Sequence, residues 1–216
     1  MNETHLKAQK PTADKWLPAF GLQITDLQVL RGMNLVINRL SHFQQAGDIY
    51  CLTGPNGAGK STLLRTIANR LPIAEGNIFC PVPIIYVGHN DGLSGSISGR
   101  ENLKGWAKIN GFPYPSLAID KALASFDATN FANIAVRLLS RGQRRRLALT
   151  RLALAPANSL WLLDEPNASL DQATNATLDA VVIAHATLGG MVLAATHLDF
   201  AVNASPKFMI LPGQQE

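Results

Sequence analysis

The sequence predicts an α/β protein built around a largely parallel sheet. Three observations lead there. Strand-like and helix-like segments alternate along the chain, a glycine-rich turn joins a buried strand to a helix, and a second buried strand ends on two carboxylates. With 216 residues the chain is long enough for one domain that buries about 70% of its unfolded surface.

Residues 1–20 carry Pro11 and Pro18, lack periodicity and read as a loose arm. Glu3 and Asp14 speak against a transit peptide, and 1–15 hold no apolar core of a secretory signal. Residues 21–216 read as a single domain. Segments 22–30, 35–37 and 40–43 are short strand candidates with turns across 31–34. Residues 48–53 (DIYCLT) form a buried strand that runs into the turn 54–59. Leu63, Leu64, Ile67 and Leu71 then fall on one side of a helix starting at Lys60 and reaching Arg70. Strands follow at 76–79 and 84–87. A stretch richer in small and polar residues, 89–138, holds helices near 101–110 and 117–126. A helix at 142–155, an apolar strand at 159–163, a helix at 173–188 and a last buried strand at 191–195 complete the pattern.

Apolar residues make up 47% of the chain and charged residues only 16%, against roughly 25% in an average domain. That shortage predicts a surface covered by a partner, with 89–103 as the expected docking face. The net charge of +4 is mild and demands neither nucleic acid nor anionic lipid. The core-sized apolar stretches 147–154 and 160–163 fall short of the ~18–20 residues of a membrane span. Cys51 and Cys80 cannot supply a four-ligand metal site, and their scarcity fits a reducing compartment.

Gly54-Pro55-Asn56-Gly57-Ala58-Gly59-Lys60-Ser61 satisfies the phosphate-loop pattern G-x-x-x-x-G-K-[ST], with Thr62 following. Glycines let successive backbone N–H groups converge on an anion. The helix starting at Lys60 adds its positive end. The Lys60 ammonium is placed for β- and γ-phosphates and the Ser61 hydroxyl for Mg²⁺. The strand Leu160-Trp161-Leu162-Leu163 delivers Asp164 and Glu165 to the carboxyl edge of the sheet, where ligands bind. Asp164 is then positioned to hold Mg²⁺, and Glu165 to accept a proton from attacking water. Ser140 in Leu139-Ser140-Arg141-Gly142-Gln143 is either a simple helix N-cap or part of a second phosphate site. The run Arg144-Arg145-Arg146 reads as a helix turn facing phosphate or solvent. No aromatics interleave to stack bases, so nucleic acid is not the expected partner.

In this order, GPNGAGKS, LSRGQ, WLLDEP, SLD and a late ATH resemble the ATP-binding subunits of ABC transporters, over residues 21–211. The resemblance implies a P-loop NTPase with a RecA-like core, an antiparallel β subdomain and a helical subdomain spanning about 89–138. It implies a homodimer with two ATP molecules sandwiched between copies. There Ser140, Gly142 and Gln143 touch the γ-phosphate held by Lys60 of the other copy. Asp171 of SLD joins the nucleotide-binding set, Glu165 is the general base, and His197 orients γ-phosphate and water. His89 stands where the family has a glutamine; neutral imidazole can accept a hydrogen bond there, near Mg²⁺ and the water. Arg31 stands where the family stacks an aromatic on adenine, and a guanidinium can stack too.

Gly88-His89, Gly92-Leu93, Glu101-Asn102-Leu103, LWLLDEP and Gly189-Gly190-Met191-Val192 before ATH resemble, more closely, the haem-exporter ATPases of cytochrome c maturation. That implies an ATP-hydrolysing translocase subunit, peripheral on the cytoplasmic face of the inner membrane. Integral membrane subunits would be its partners and haem its indirect cargo. An ATPase for another transporter cargo stays open, as does a soluble ATPase of this type acting on ribosomes or DNA. The soluble kind normally carries two cassettes or long coiled coils, and this chain has neither.

Overall fold

The structure, a computed structural model, describes residues 21–112, 115–196 and 200–212. The arm 1–20 and His197 lie outside the described residues. Two sheets form. One is antiparallel, in the order β2-β1-β4, from β1 (Gly21–Arg31), β2 (Asn34–Gln45) and β4 (Glu75–Phe79). The other has five strands in the order β5-β6-β7-β3-β8, all pairs parallel. Its members are β3 (Ile49–Thr53), β5 (Ile84–Val87), β6 (Leu160–Asp164), β7 (Met191–Ala195) and β8 (Lys207–Ile210).

Every residue of β6 and β7 is buried, as a parallel strand covered on both faces requires. Alternate side chains enter different cores. Leu52, Leu160, Leu162 and Leu193 pack with Leu63, Leu64 and Ile67 of α1 (Lys60–Ile67) and with Leu22, Leu27 and Val29 of β1. On the other face, Cys51, Trp161, Leu163 and Val192 pack with Ala148 and Leu149 of α4 (Arg141–Thr150) and Leu178 and Val182 of α5 (Gln172–Thr187). Gln44 ties the sheets together: its buried amide nitrogen Nε2 donates to the Val192 carbonyl at 2.9 Å and the Asp48 carbonyl at 3.0 Å.

A third core lies in the segment between β5 and α4. There α2 (Gly99–Ile109) and α3 (Ser116–Ser125) bury Leu103, Ile119 and Leu123 against Phe131, Val136 and Leu147. A capping box starts α2: Ser98 and Glu101 satisfy each other's backbone N–H groups.

Several expected elements shift. The two short strands at 35–37 and 40–43 are one strand, β2, because β1 offers a continuous partner along its length with irregular register rather than a break. The helix expected to reach Arg70 ends at Ile67, where Asn69 turns left-handed at φ 55°. The helix expected over 142–155 runs from Arg141 to Thr150 and tightens to 3₁₀ over Arg151–Leu154. Strand β8 is new: only four residues, flanked by Pro206 and Pro212, it carries too little pattern to be read from sequence.

Candidate active site

Strand β3 ends at Thr53 and the chain enters the glycine-rich loop. Gly54, Gly57 and Gly59 have φ of 141°, 84° and 95°, a region that disfavours any Cβ. Gly54 has a second reason to lack a side chain: its Cβ would fall inside 3.0 Å of the Leu211 carbonyl oxygen. At Gly59 a Cβ would meet Val36 Cγ1 at 2.7 Å. Gly59 is also the N-cap of α1 and offers no side-chain cap, so the first N–H groups of that helix stay available to an anion.

The Lys60 ammonium donates to the carbonyls of Gly54 at 2.7 Å and Pro55 at 3.0 Å. It is held over the loop and is only 8% exposed. Ser61 Oγ donates to Asp164 Oδ1 at 2.9 Å, which places the end of β6 beside the start of α1. Asp164 is 2% exposed, and its Oδ2 accepts from the Tyr86 hydroxyl at 3.5 Å. A cleft of about 240 Å³ is lined by Asn56, Gly57, Gly59, Lys60, Ser61, Thr62, Asp164 and Glu165. The structure thus brings the loop and both carboxylates into one cleft. Glu165 has left the strand conformation, with φ 48°, and its N–H donates to the Ala195 carbonyl at 2.8 Å.

The other expected residues sit elsewhere. Ser140 is the N-cap of α4 and accepts from the Gln143 N–H, while the Gln143 side chain accepts from the Ser140 N–H at 2.9 Å. Gly142 packs closely against the turn after β6: a Cβ there would meet the Ser169 carbonyl at 3.2 Å. Asp171 caps α5 through the Thr174 N–H at 2.8 Å and pairs with Arg146 at 2.5 Å. These contacts hold the Asp171 carboxyl below the usual carboxylate range, the Thr174 bonds most. His89 is exposed in the bend after β5 and Arg31 is exposed where β1 turns into β2; neither lines the cleft.

The basic run needs correction. Arg145 does not face phosphate or solvent; it is 3% exposed and turned under the cleft. Its Nη1 donates to the Gly88 carbonyl at 2.7 Å, and its Nη2 to the carbonyls of Asp164 at 3.1 Å and Glu165 at 2.7 Å. Its Nε donates to the Pro166 carbonyl at 3.3 Å, and Asp91 lies 3.6 Å away. Burial pulls this guanidinium below its ordinary value while Asp91 holds it up. Sequence reasoning missed it because helix spacing from the inward-facing Leu149 was not applied to the charged turn before it. Arg151, 6% exposed, similarly binds the carbonyls of Asp91 at 3.0 Å and Gly92 at 2.7 Å; burial lowers its pKa to about 10.

Oxygen donors from Ser61 and Asp164 suit a hard cation such as Mg²⁺, which takes few protein ligands and completes its shell with phosphate and water. Among the described residues no group of three or more His, Cys, Asp or Glu side chains is arranged for a metal ion. No helix among them is long and apolar enough to cross a membrane.

The family described as ABC transporter matches residues 37–168. The cytochrome c biogenesis ATP-binding export protein CcmA of Paracoccus denitrificans is 41% identical over 182 residues, 84% of this chain and 84% of that protein. The protein of the same name from Ruegeria pomeroyi is 42% identical over 184 residues, 85% of this chain and 88% of that one. Among solved structures, an ABC transporter ATP-binding protein of Pyrococcus furiosus superposes with a TM-score of 0.74 at 23% identity, covering 88% of this chain and 97% of that one. An ATP-binding subunit of an ABC transporter gives 0.77 at 20% identity, covering 88% and 85%. These two likenesses concern the fold.

Proposed function

Because the chain belongs to the ABC transporter ATP-binding family, and within it to the CcmA type, we propose that it is the ATP-hydrolysing subunit of a membrane complex serving cytochrome c maturation by haem export or delivery. One observation carries the chemistry: Ser61 and Asp164 are hydrogen-bonded, so loop, helix start and carboxylates share a cleft.

The loop N–H groups and the Lys60 ammonium bind the β- and γ-phosphates of ATP. Lys60 exchanges its two carbonyl partners for phosphate oxygens, which are stronger acceptors. Ser61 and Asp164 would hold Mg²⁺, which neutralises charge on the phosphates when bound. Glu165, which lines the cleft, takes a proton from the attacking water. His197 orients that water and the γ-phosphate; His89 contributes from its bend and Arg31 from the hairpin only if those segments close on the nucleotide.

Two copies assemble head to tail, with Ser140, Gly142 and Gln143 of one facing the loop of the other. Integral membrane subunits dock the dimer on the cytoplasmic face of the inner membrane. Affinity isolation of the full chain from a detergent extract tests this reading. The expected result is co-purifying membrane subunits, haem absorbance and ATP turnover; recovery with ribosomes or DNA and no membrane partner overturns it.

A further inference from the structure

We infer that Arg145 is a positioning residue for Glu165, setting the direction of its carboxylate by gathering three successive backbone carbonyls onto one guanidinium. The inference rests on the ATPase reading above.

In an extended strand, successive carbonyls point to opposite sides and cannot converge on one donor. Those of Asp164, Glu165 and Pro166 do converge on Arg145, at 3.1, 2.7 and 3.3 Å. They can do so because Glu165 adopts φ 48°. That is a strained conformation for a residue with a side chain, and it persists only where surroundings over-determine it. Here contacts on both sides of the residue supply that. The Glu165 N–H is fixed on the Ala195 carbonyl of β7, and its own carbonyl accepts from Arg145 at 2.7 Å and from the Ala168 N–H at 3.1 Å. With both backbone ends of the residue held, the Cα–Cβ direction is fixed beside the cleft that the residue lines. A planar fork with five N–H groups serves this geometry, and a lysine ammonium does not.

The same guanidinium reaches away from β6 as well. It binds the Gly88 carbonyl at 2.7 Å and pairs with Asp91 at 3.6 Å, while Arg151 holds the carbonyls of Asp91 and Gly92. Residues 88–92 and the Glu165 turn are therefore tied to one stretch of chain, α4 and the 3₁₀ turn after it. A shift of the bend carrying His89 pulls on the group that holds Glu165.

The experiment measures ATP turnover of Arg145→Gln and Arg145→Lys in the full chain assembled with its membrane subunits. A parent complex with no turnover defeats the ATPase reading and this inference with it; a hydrolysing parent moves the question to Arg145 alone. A misaimed base slows the chemical step, so kcat of Arg145→Gln falls on the order of 10²-fold. KM for ATP stays within about threefold, because the phosphate contacts are untouched. Arg145→Lys, with charge but no fork, falls between. Added to Glu165→Gln, Arg145→Gln causes little further loss, since both act through one carboxylate. A folded Arg145→Gln with parental kcat overturns the inference. So does a loss confined to KM, or a fully additive loss in the double variant. If both variants fail to fold, Arg145 is a structural cross-link and the inference is also overturned.

Discussion

The Ser61 hydroxyl donates to Asp164 across 2.9 Å, joining residues 103 positions apart. That bond closes the start of α1 onto the end of β6. It links the phosphate loop to the acidic strand through side chains rather than through sheet hydrogen bonds, since β7 lies between β3 and β6. A metal ion entering there meets two oxygens already side by side.

Ser61→Ala removes that donor from a carboxylate that is almost fully buried. Without nucleotide, the variant loses about 1–3 kcal/mol of stability, read as a lower urea midpoint. The Mg²⁺ concentration for half-maximal turnover rises ~10–100-fold, on the scale seen when a metal site loses a supporting group. An unchanged Mg²⁺ requirement would remove Ser61 from the metal site.

Glu165→Gln keeps the size of the side chain and removes its basicity. Turnover in the assembled complex falls on the order of 10²–10⁴-fold while ATP binding persists. Size-exclusion chromatography with ATP then shows a long-lived dimer. Hydrolysis at close to the parental rate would leave the general base unassigned.

The glycines of the loop separate by what lies above them. Gly54→Ala meets the Leu211 carbonyl as well as an unfavourable φ, whereas Gly57→Ala meets no atom within 4 Å. Gly54→Ala therefore loses more stability than Gly57→Ala, whose backbone strain alone is about 1 kcal/mol. Equal thermal midpoints for the two would contradict the close approach of β8 to the loop.

His185 lies flat on Trp161, with ring centroids 3.6 Å apart, and hydrogen-bonds the Ser159 carbonyl at 2.9 Å. Burial depresses its pKa from 6.5 to about 4. The unfolded chain thus binds this proton more readily than the folded one. The stabilising effect is complete above about pH 6.5 and is lost as pH falls toward about 4. Between about pH 7.5 and pH 5.5 the parent loses about 1 kcal/mol from this group, followed by Trp fluorescence in urea. His185→Phe keeps the stack and loses less over that interval; an identical pH dependence would show that other groups titrate there.

The parallel core could be read from sequence because its cause is local. Buried strands such as 159–163 are continuous apolar runs, and the phosphate loop is a contiguous string of glycines with fixed neighbours. What stayed hidden depends on distant partners. Arg145 looked like part of an exposed basic turn, because its acceptors come from residues 88 and 164–166. The capping of α4 by Ser140 was readable as one of two roles, and the isolated chain displays that cap, with Gln143 completing it in a way the sequence reading did not anticipate. Strand β8 has meaning only through its pairing with β3, where Phe208 lies opposite Cys51 and Ile210 opposite Thr53.

That pairing sets a schedule for synthesis. Strand β3, which carries the phosphate loop, lies between β7 and β8, and both are translated well over a hundred residues after it. The antiparallel hairpin of β1 and β2 can close as soon as it clears the ribosome, since its contacts are sequential. The nucleotide cleft cannot, because Gly54 rests against Leu211. At ~5–20 residues per second the nascent chain spends many seconds with an unflanked β3. During that interval ATP has no finished site to bind, and the exposed edges of β3 are open to chaperones.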